Sequence, residues 1–139
     1  MKIVTSEIQL KTQGDTDVID ITDDVAQRLN QTGLKEGIAF VFVVGSTAGV
    51  TTCEAEPGLE ADLKNLFEKL IPKKATYGHD AAWGDGNGHS HLRASLLGPS
   101  LAVPFAKGKL ATGTWQQIIY IDFDNRPRTR QILVQFQGE

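Results

Sequence analysis

The sequence predicts an α+β fold, a β-sandwich of about seven strands with two to three flanking helices. Two β-prone segments precede the first amphipathic helical segment, and two more separate it from the second. Three β-prone segments then complete the chain. Because helices and strands are grouped and do not alternate as βαβ units, we expect a sheet structure with segregated helices.

The first half of the chain is expected to contain two strands, a helix, two strands and a second helix. Thr22 is a candidate N-cap residue of the first helix, and Gly33 is a typical helix stop. Apolar residues recur with helical spacing in the second helix, which Pro72 ends. The expected bounds are 2–11, 18–21, 22–32, 38–44, 47–53 and 59–71.

The second half begins with a long segment that has no periodic apolar pattern, residues 72–90. A loop of this length inside a compact domain is usually functional or disordered. A short helix over 92–97 is expected next, since Gly98 and Pro99 form a good helix stop. Three final strands are expected at about 100–105, 110–122 and 129–137.

Composition narrows the class of protein. The 139 residues fit one domain, 1–139, and a net charge of −3 argues against a general nucleic-acid binder. The single cysteine, Cys53, excludes an intrachain disulfide and fits a reducing compartment. The longest apolar run, 38–44, is too short to span a bilayer, and no signal-peptide pattern is present. We therefore expect a cytoplasmic protein without a membrane segment.

All three histidines of the chain, His79, His89 and His91, lie within thirteen residues. Three neutral imidazoles with an open fourth position form a catalytic type of zinc site, although nickel, copper and iron also accept imidazole. His89 and His91 point to the same side only in extended backbone. A shared metal therefore requires non-helical backbone at 89–91, and the glycines of the stretch 84–88 let the chain bend there.

Two carboxylates, Asp80 and Asp85, flank the histidines. One could orient an imidazole ring, and the other could transfer a proton at a metal-bound water. Asp85 is favoured for the chemical role because it lies in the flexible glycine-rich turn. Taken separately, a His-x-His pair fits ordinary surface or core histidines, and Asp-Gly-Asn-Gly fits an ordinary turn. Their combination in one long unpatterned segment favours a site.

Anion binding is a second expectation. Arg93 follows the histidine pair and suits an anionic group of a substrate, and a helix beginning near His91 would add free N–H groups. Ser46 and Thr47, near a strand break, are candidates for lining a pocket, with ordinary strand residues as the alternative. Glu54 is either a pocket carboxylate or part of an acidic lead-in to the second helix.

Three motifs carry a resemblance to a known family. They are Asp85-Gly86-Asn87-Gly88-His89-Ser90-His91-Leu92, Ala94-Ser95-Leu96-Leu97-Gly98-Pro99-Ser100 and Gly113-Thr114-Trp115-Gln116. The chain resembles the YjbQ-like family, also called the secondary thiamine-phosphate synthase family, over nearly its whole length.

The resemblance implies a compact β-sandwich that assembles as a homotrimer. It also implies a divalent metal, typically zinc, held by His79, His89 and His91. Some members show a weak thiamine-phosphate synthase activity, which joins a thiazole phosphate to a pyrimidine pyrophosphate. Asn87 lies in the motif beside these histidines and is taken as a candidate substrate contact.

One position departs from the family pattern. Many members carry a histidine after the apolar strand, where this chain has Gly45. We expect a metal-dependent enzyme acting on a phosphorylated small molecule, with Asp85 and Glu54 as catalytic carboxylates. A non-catalytic metal- or ligand-binding trimer and a scaffold without metal are the alternatives.

Overall fold

Eight strands and four helices build the chain, and the computed structural model describes every residue from Met1 to Glu139. The strands are β1 (Lys2–Thr12), β2 (Asp17–Asp20), β3 (Gly37–Val44), β4 (Ala48–Cys53), β5 (Ser100–Ala106), β6 (Lys109–Leu110), β7 (Gln117–Asp122) and β8 (Arg128–Gly138). The helices are α1 (Thr22–Thr32), α2 (Pro57–Leu70), α3 (Gly78–Trp83) and α4 (Gly88–Leu97).

The strands form two antiparallel sheets. The larger sheet has five strands in the order β1-β8-β3-β5-β6, and the smaller has three in the order β2-β7-β4. Strand β8 pairs with the whole of β1, from Lys2 opposite Gly138 to Thr12 opposite Arg128. Because both sheets contribute side chains to one apolar cluster, the architecture is a sandwich.

The main core lies between the two sheets and α1. Val41 of β3 and Val134 of β8 are fully buried on the inner face of the larger sheet. Ile118 and Tyr120 of β7 meet them from the smaller sheet. Helix α1 joins the same core through Val25 and Leu29, and Ile21, the residue just before the helix, continues this spacing of four.

Helices α2 and α4 cover the other face of the smaller sheet. Phe67 of α2 packs edge to face on Phe123, with ring centroids 4.7 Å apart. Ala94 of α4 joins Ile119 and Ile121 of β7 in this second cluster. Strand β7 is therefore buried on both faces, which explains its continuous apolar run. None of the four helices has the length and apolar character that crossing a membrane requires.

The predicted α+β class is confirmed, with eight strands where about seven were expected. The predicted strand 110–122 is wrong in its first half, because residues 113–116 form a turn in which the Gln116 N–H donates to the Gly113 carbonyl at 3.1 Å. The chain therefore leaves the larger sheet after β6 and enters the smaller sheet at β7.

Two predictions about helices also need correction. The predicted loop 72–90 is wrong, since it contains α3 and the first residues of α4. Thr22 is the first helical residue of α1 and not its N-cap residue. Asp20 instead accepts hydrogen bonds from the N–H and the hydroxyl of Thr22, at 2.9 and 2.6 Å.

Asp122 is a fully buried carboxylate that ties β7 to two strands of the larger sheet, β1 and β8. It accepts a hydrogen bond from the Thr12 hydroxyl at 2.6 Å. It also accepts two from Arg130, whose Nε and Nη2 lie 2.7 and 3.0 Å away. A buried charge is tolerated only when it is paired and hydrogen-bonded, and Asp122 meets both conditions.

Asp124 is a second buried carboxylate, two residues further along. It accepts hydrogen bonds from the Thr47 hydroxyl at 2.9 Å and from Arg128 Nε at 3.1 Å. Burial alone would raise the pKa of Asp124, but hydrogen bonds from Thr47 and Asn87 and the charge of Arg128 outweigh it, and the pKa is lowered. The carboxylate therefore stays ionised inside the protein.

We expect Asp124→Asn to lower the free energy of unfolding at neutral pH by about 1.5–3 kcal/mol, the range for losing a hydrogen bond to a charged group. Because the pKa of Asp124 is lower in the folded state, its contribution is fully present above the unfolded-state pKa of about 3.9. That contribution is lost as the pH falls through the folded-state pKa. Denaturant unfolding of both proteins between neutral pH and about pH 2 measures this.

The matched control is Asp62→Asn on the exposed face of α2, which should change the free energy of unfolding by less than about 0.5 kcal/mol. The difference between the wild type and Asp124→Asn should narrow as the pH falls below about 4. A difference that stays constant over the whole range would rule out the ionised, hydrogen-bonded state of Asp124.

Candidate metal centre

Helices α3 and α4 are joined by a short turn, residues 84–87, that brings their starts together. Gly84 and Gly86 both have a φ of 66°, a conformation that glycine adopts without steric cost. Gly88 begins α4 so close to Tyr77 that a Cβ at this position would lie 2.7 Å from the Tyr77 Cβ. The Gly88 N–H donates to Asp80 Oδ1 at 2.9 Å, which fixes α4 against α3.

This packing assembles a cluster of three side chains, His79, Asp80 and Asp85, with one potential ligand atom each, all within 4.8 Å of one another. His79 Nδ1 lies 3.4 Å from Asp85 Oδ1 and 3.8 Å from Asp80 Oδ1. It is buried and has no hydrogen-bond partner in the protein. The side chains of Asp80 and Asp85 are 27% and 46% exposed, so the cluster opens to solvent.

These distances fit the coordination sphere of a divalent cation. Zinc binds imidazole nitrogen at about 2.0–2.1 Å and carboxylate oxygen at about 2.0–2.2 Å, usually with tetrahedral geometry. Two such ligands are about 3.4 Å apart, which matches the 3.4 Å between His79 Nδ1 and Asp85 Oδ1. One imidazole and two carboxylates suit zinc or manganese. The residues present therefore fit a divalent metal.

The three histidines predicted to share a metal do not form one group. Helix α4 begins at Gly88, so the predicted non-helical backbone at 89–91 is wrong. Residues two apart on a helix are rotated by about 200°, and His89 and His91 therefore point to different sides. His91 lies beside His79, with ring centroids 4.4 Å apart. His89 is only 3% exposed and lies outside the cluster.

His89 occupies the buried side of α4. The Ser90 hydroxyl donates to the Phe123 carbonyl at 2.5 Å. Because a hydroxyl has one proton, it can only accept from His89 Nε2, 3.3 Å away. This favours the neutral tautomer protonated on Nε2 and leaves Nδ1 buried without a partner. Burial first, then the charges of Arg93 and Lys73, lower the pKa of His89.

Two predicted substrate contacts, Asn87 and Arg93, are buried and hold α4 in place. Asn87 Oδ1 accepts a hydrogen bond from the Asn125 N–H at 3.1 Å. Arg93 directs four of its N–H groups, at 2.7–3.2 Å, to acceptors on three other segments, the Ile71 carbonyl, the Thr16 hydroxyl and the Glu68 carboxylate. Both side chains therefore have structural partners within the chain.

The remaining predicted pocket residues lie around the start and the end of β4. Thr47 is buried, and its hydroxyl donates to Asp124 and accepts from Arg130 Nη2 at 2.6 Å. Ser46 lies on the surface beside Gly45, whose φ of 145° favours glycine. Glu54 follows β4 and is exposed, and its carboxylate makes no hydrogen bond. None of these side chains belongs to the histidine–aspartate cluster.

Sequence reasoning missed the buried ion network of Asp122, Asp124 and Arg130. One signal was available, because Asp122 interrupts a strongly apolar, β-prone run that ends at Phe123, and Asp124 follows directly after it. A carboxylate in a strand that is buried on both faces needs a cation or several donors. The arginines that follow at alternate positions supply them.

The family model described as "UPF0047 protein YjbQ-like" matches residues 6–139. The chain belongs to the YjbQ-like UPF0047 family. A UPF0047 protein of Archaeoglobus fulgidus is 41% identical over 128 residues, which cover 92% of this chain and 97% of that protein. A UPF0047 protein of Methanothermobacter thermautotrophicus is 40% identical over 139 residues, which cover 100% and 95%.

Two solved structures share the fold. A YbjQ-like protein of unknown function from Sulfolobus solfataricus superposes with a TM-score of 0.94 at 34% identity and covers 99% of both chains. A hypothetical protein from Aeropyrum pernix gives a TM-score of 0.91 at 32% identity, covering 98% of this chain and 99% of that one. The family resemblance predicted from the motifs is confirmed.

We expect His89 to take up a proton at a lower pH than an unperturbed histidine, whose pKa is about 6.5, because burial disfavours the imidazolium form. Long-range ¹⁵N–¹H correlation spectra of the folded protein between pH 5 and 8 should show the Nε2–H tautomer. Ser90→Ala removes the acceptor and should change the tautomer ratio. A midpoint above about 6.5, or a dominant Nδ1–H form, would overturn this assignment.

Proposed function

We propose that this YjbQ-like protein is a metal-dependent enzyme acting on a phosphorylated small molecule, with one divalent cation, preferably zinc, held by His79, Asp80 and Asp85. The supporting observation is the buried, unpartnered Nδ1 of His79, 3.4 and 3.8 Å from two carboxylate oxygens. The proposal includes a cytoplasmic location. The only cysteine, Cys53, is a free thiol, which fits a reducing compartment. It includes no nucleic-acid or membrane partner.

A divalent cation at this position would supply Lewis-acid polarisation of a phosphoryl oxygen. The chain's own residues have separate tasks. Asp80 holds the start of α4 through the Gly88 N–H and so fixes the position of the cluster. Asp85 accepts the Asn87 N–H through Oδ1 at 3.2 Å, which leaves Oδ2 free to take a proton from a substrate or water. A transferase or hydrolase reaction fits this division.

A non-catalytic metal- or ligand-binding protein is the second candidate. Three side chains predicted to contact a substrate already make hydrogen bonds within the fold, and this favours the second candidate. They are Thr47, Asn87 and Arg93. In this case the cation would stabilise the junction of α3 and α4 without turnover.

We propose the outer face of the larger sheet as the contact surface of the homotrimer that the family resemblance implies. Alternate residues of β3 point away from the core, and all four are apolar. They are 40–46% exposed: Ile38, Phe40, Phe42 and Val44. Ala102 opposite Phe40 and Leu133 opposite Phe42 extend the apolar surface onto β5 and β8. An exposed apolar face of this kind marks a protein–protein contact, and closed symmetric oligomers of one chain are the common solution.

Metal binding is tested first. We expect tag-free wild-type protein to bind one equivalent of zinc in a calorimetric titration, and Asp62→Asn, a remote acidic position, to bind equally well. His79→Ala and Asp85→Asn should each weaken zinc binding by at least about 10–100-fold, since even second-layer partners of metal ligands contribute that much. Unchanged zinc affinity in both variants would refute the proposed centre.

Turnover separates the two candidate functions. The zinc-loaded wild type should convert a phosphorylated substrate, assayed by phosphate release and by coupling of thiazole phosphate to pyrimidine pyrophosphate. Asp85→Asn should lose at least about tenfold in kcat even at saturating zinc, because general acid–base groups typically contribute about 10²–10⁴. Zinc binding without turnover of any phosphorylated substrate would favour the non-catalytic candidate.

For the assembly, Phe42→Asp should convert a trimer to monomers in light scattering coupled to size-exclusion chromatography. A charge in an apolar contact lacks a partner and is costly to bury. Leu70→Asp on α2, another exposed apolar position, is the control and should leave the trimer intact. A wild-type protein that is already monomeric would exclude this role of the β3 face.

A further inference from the structure

A second cleft, lined only by polar and charged residues, lies beside α4, away from the apolar sheet face. It encloses about 500 Å³, and none of its lining residues is hydrophobic. Its walls come from the β1–β2 turn, α2, the segment after α2, and α4: Asp15, Thr16, Lys64, Asn65, Glu68, Lys73, Lys74 and Arg93. The apolar part of its surface comes only from carbon atoms of polar residues. The cleft therefore offers no aromatic ring for stacking, and its side chains present charged and hydrogen-bonding groups to an occupant.

The charges of the cleft are unbalanced. Both of its carboxylates already have cationic partners, since Asp15 pairs with Lys73 and Glu68 pairs with Arg93 at 2.8 Å. The other two cations, Lys64 and Lys74, have no ion-pair partner in the protein. The cleft therefore carries two uncompensated positive charges in a chain whose net charge is −3, which favours an anion at this position.

The wall of the cleft is rigid because Arg93 anchors it. Its guanidinium is 2% exposed and binds the end of α2 through the Ile71 carbonyl at 2.7 and 3.0 Å. The same group donates to the Thr16 hydroxyl at 3.2 Å. A wall held by a buried charged side chain does not need to be ordered by the ligand, which lowers the cost of binding.

The β1–β2 turn presents Asp15 and Thr16 in a strained conformation. Three successive residues are left-handed, Gly14, Asp15 and Thr16, with φ of 77°, 56° and 62°. This conformation is a genuine outlier for a β-branched residue such as Thr16. The turn is locked in place, since a Cβ at Gly14 would lie 2.5 Å from the Asp124 carbonyl oxygen. Strain of this kind concentrates at functional sites.

The cleft and the candidate metal centre lie on two sides of one helix. Arg93 lies four residues after His89 and therefore on the same face of α4. His91 lies on the other side, beside His79. The charges of Arg93 and Lys73 reach His89, and so does the charge of Asp80 from the metal cluster.

We infer that this cleft binds the phosphate of a small sugar phosphate, with Lys64 and Lys74 as the phosphate-binding cations. Asn65 and the carboxylates of Asp15 and Glu68 offer donors and acceptors for hydroxyl groups. This assignment rests on the proposed function in one respect, because it names the substrate class of the same enzyme. It disfavours phosphates whose organic part is aromatic, since no aromatic side chain lines the cleft for such a ring to stack on.

The test uses calorimetric titration of the whole protein with ribose 5-phosphate, inorganic phosphate and phenyl phosphate, in buffer containing EDTA. The double variant Lys64→Gln/Lys74→Gln removes both uncompensated charges. The control Lys2→Gln/Lys109→Gln makes the same change in net charge at two exposed positions outside the cleft. Thermal unfolding of both variants verifies that each is folded.

We expect ribose 5-phosphate to bind the wild type and the control alike, and the cleft variant at least about tenfold more weakly, a loss of about 1.4 kcal/mol. It should also bind more tightly than phenyl phosphate. Equal affinity of wild type and cleft variant would overturn the assignment. Binding of phenyl phosphate or inorganic phosphate as tightly as ribose 5-phosphate would overturn it as well.

The EDTA separates this inference from the proposed metal centre. If zinc binds as proposed but ribose 5-phosphate binding does not depend on Lys64 and Lys74, the cleft assignment fails alone. If ribose 5-phosphate binds through these lysines while zinc binding is insensitive to His79→Ala, the metal centre fails and the cleft remains.

Discussion

Asp80 accepts a hydrogen bond from the first N–H group of α4, that of Gly88, at 2.9 Å, and much of the site depends on this contact. It satisfies a donor that a helix N-terminus leaves unpaired, and it places a carboxylate where the helix dipole favours negative charge. Because Gly88 has no Cβ, Tyr77 can pack directly against it. Without this approach, His79 would not face Asp85 and His91 across the turn.

A single helix therefore organises three different environments. One side of α4 presents His91 to the histidine–aspartate cluster, and the opposite side buries His89 and Arg93 against the segment after α2. The buried ion network also holds the start of the same helix. The residue before α4, Asn87, accepts a hydrogen bond from Asn125 and hydrogen-bonds to Asp124, a member of the network. Stability and function are thus connected, because a change that loosens this network also shifts the start of α4.

Local sequence patterns were sufficient where structure is determined by neighbouring residues. The inward face of α1, with Val25 and Leu29 buried, follows from periodicity alone. The continuous apolar run of β3, in contrast, gave no sign that its alternate residues would be exposed. The start of α4 was missed because its stabilising partners are distant in sequence: Asp80 is eight residues away and Asn125 is thirty-eight. The histidine spacing located the correct segment but not the ligand set, because helix rotation separates His89 from His91. Local sequence patterns could not predict the polar cleft, because its lining residues come from four separate segments of the chain.

The central claim is that His79 Nδ1 and two carboxylates share one cation. A crystal structure of the zinc-loaded protein, with anomalous differences recorded at the zinc absorption edge, tests it most directly. The account predicts one peak within about 2.2 Å of His79 Nδ1 and of an Asp85 oxygen. A peak coordinated by His89, or no peak beside His79 at saturating zinc, would contradict it.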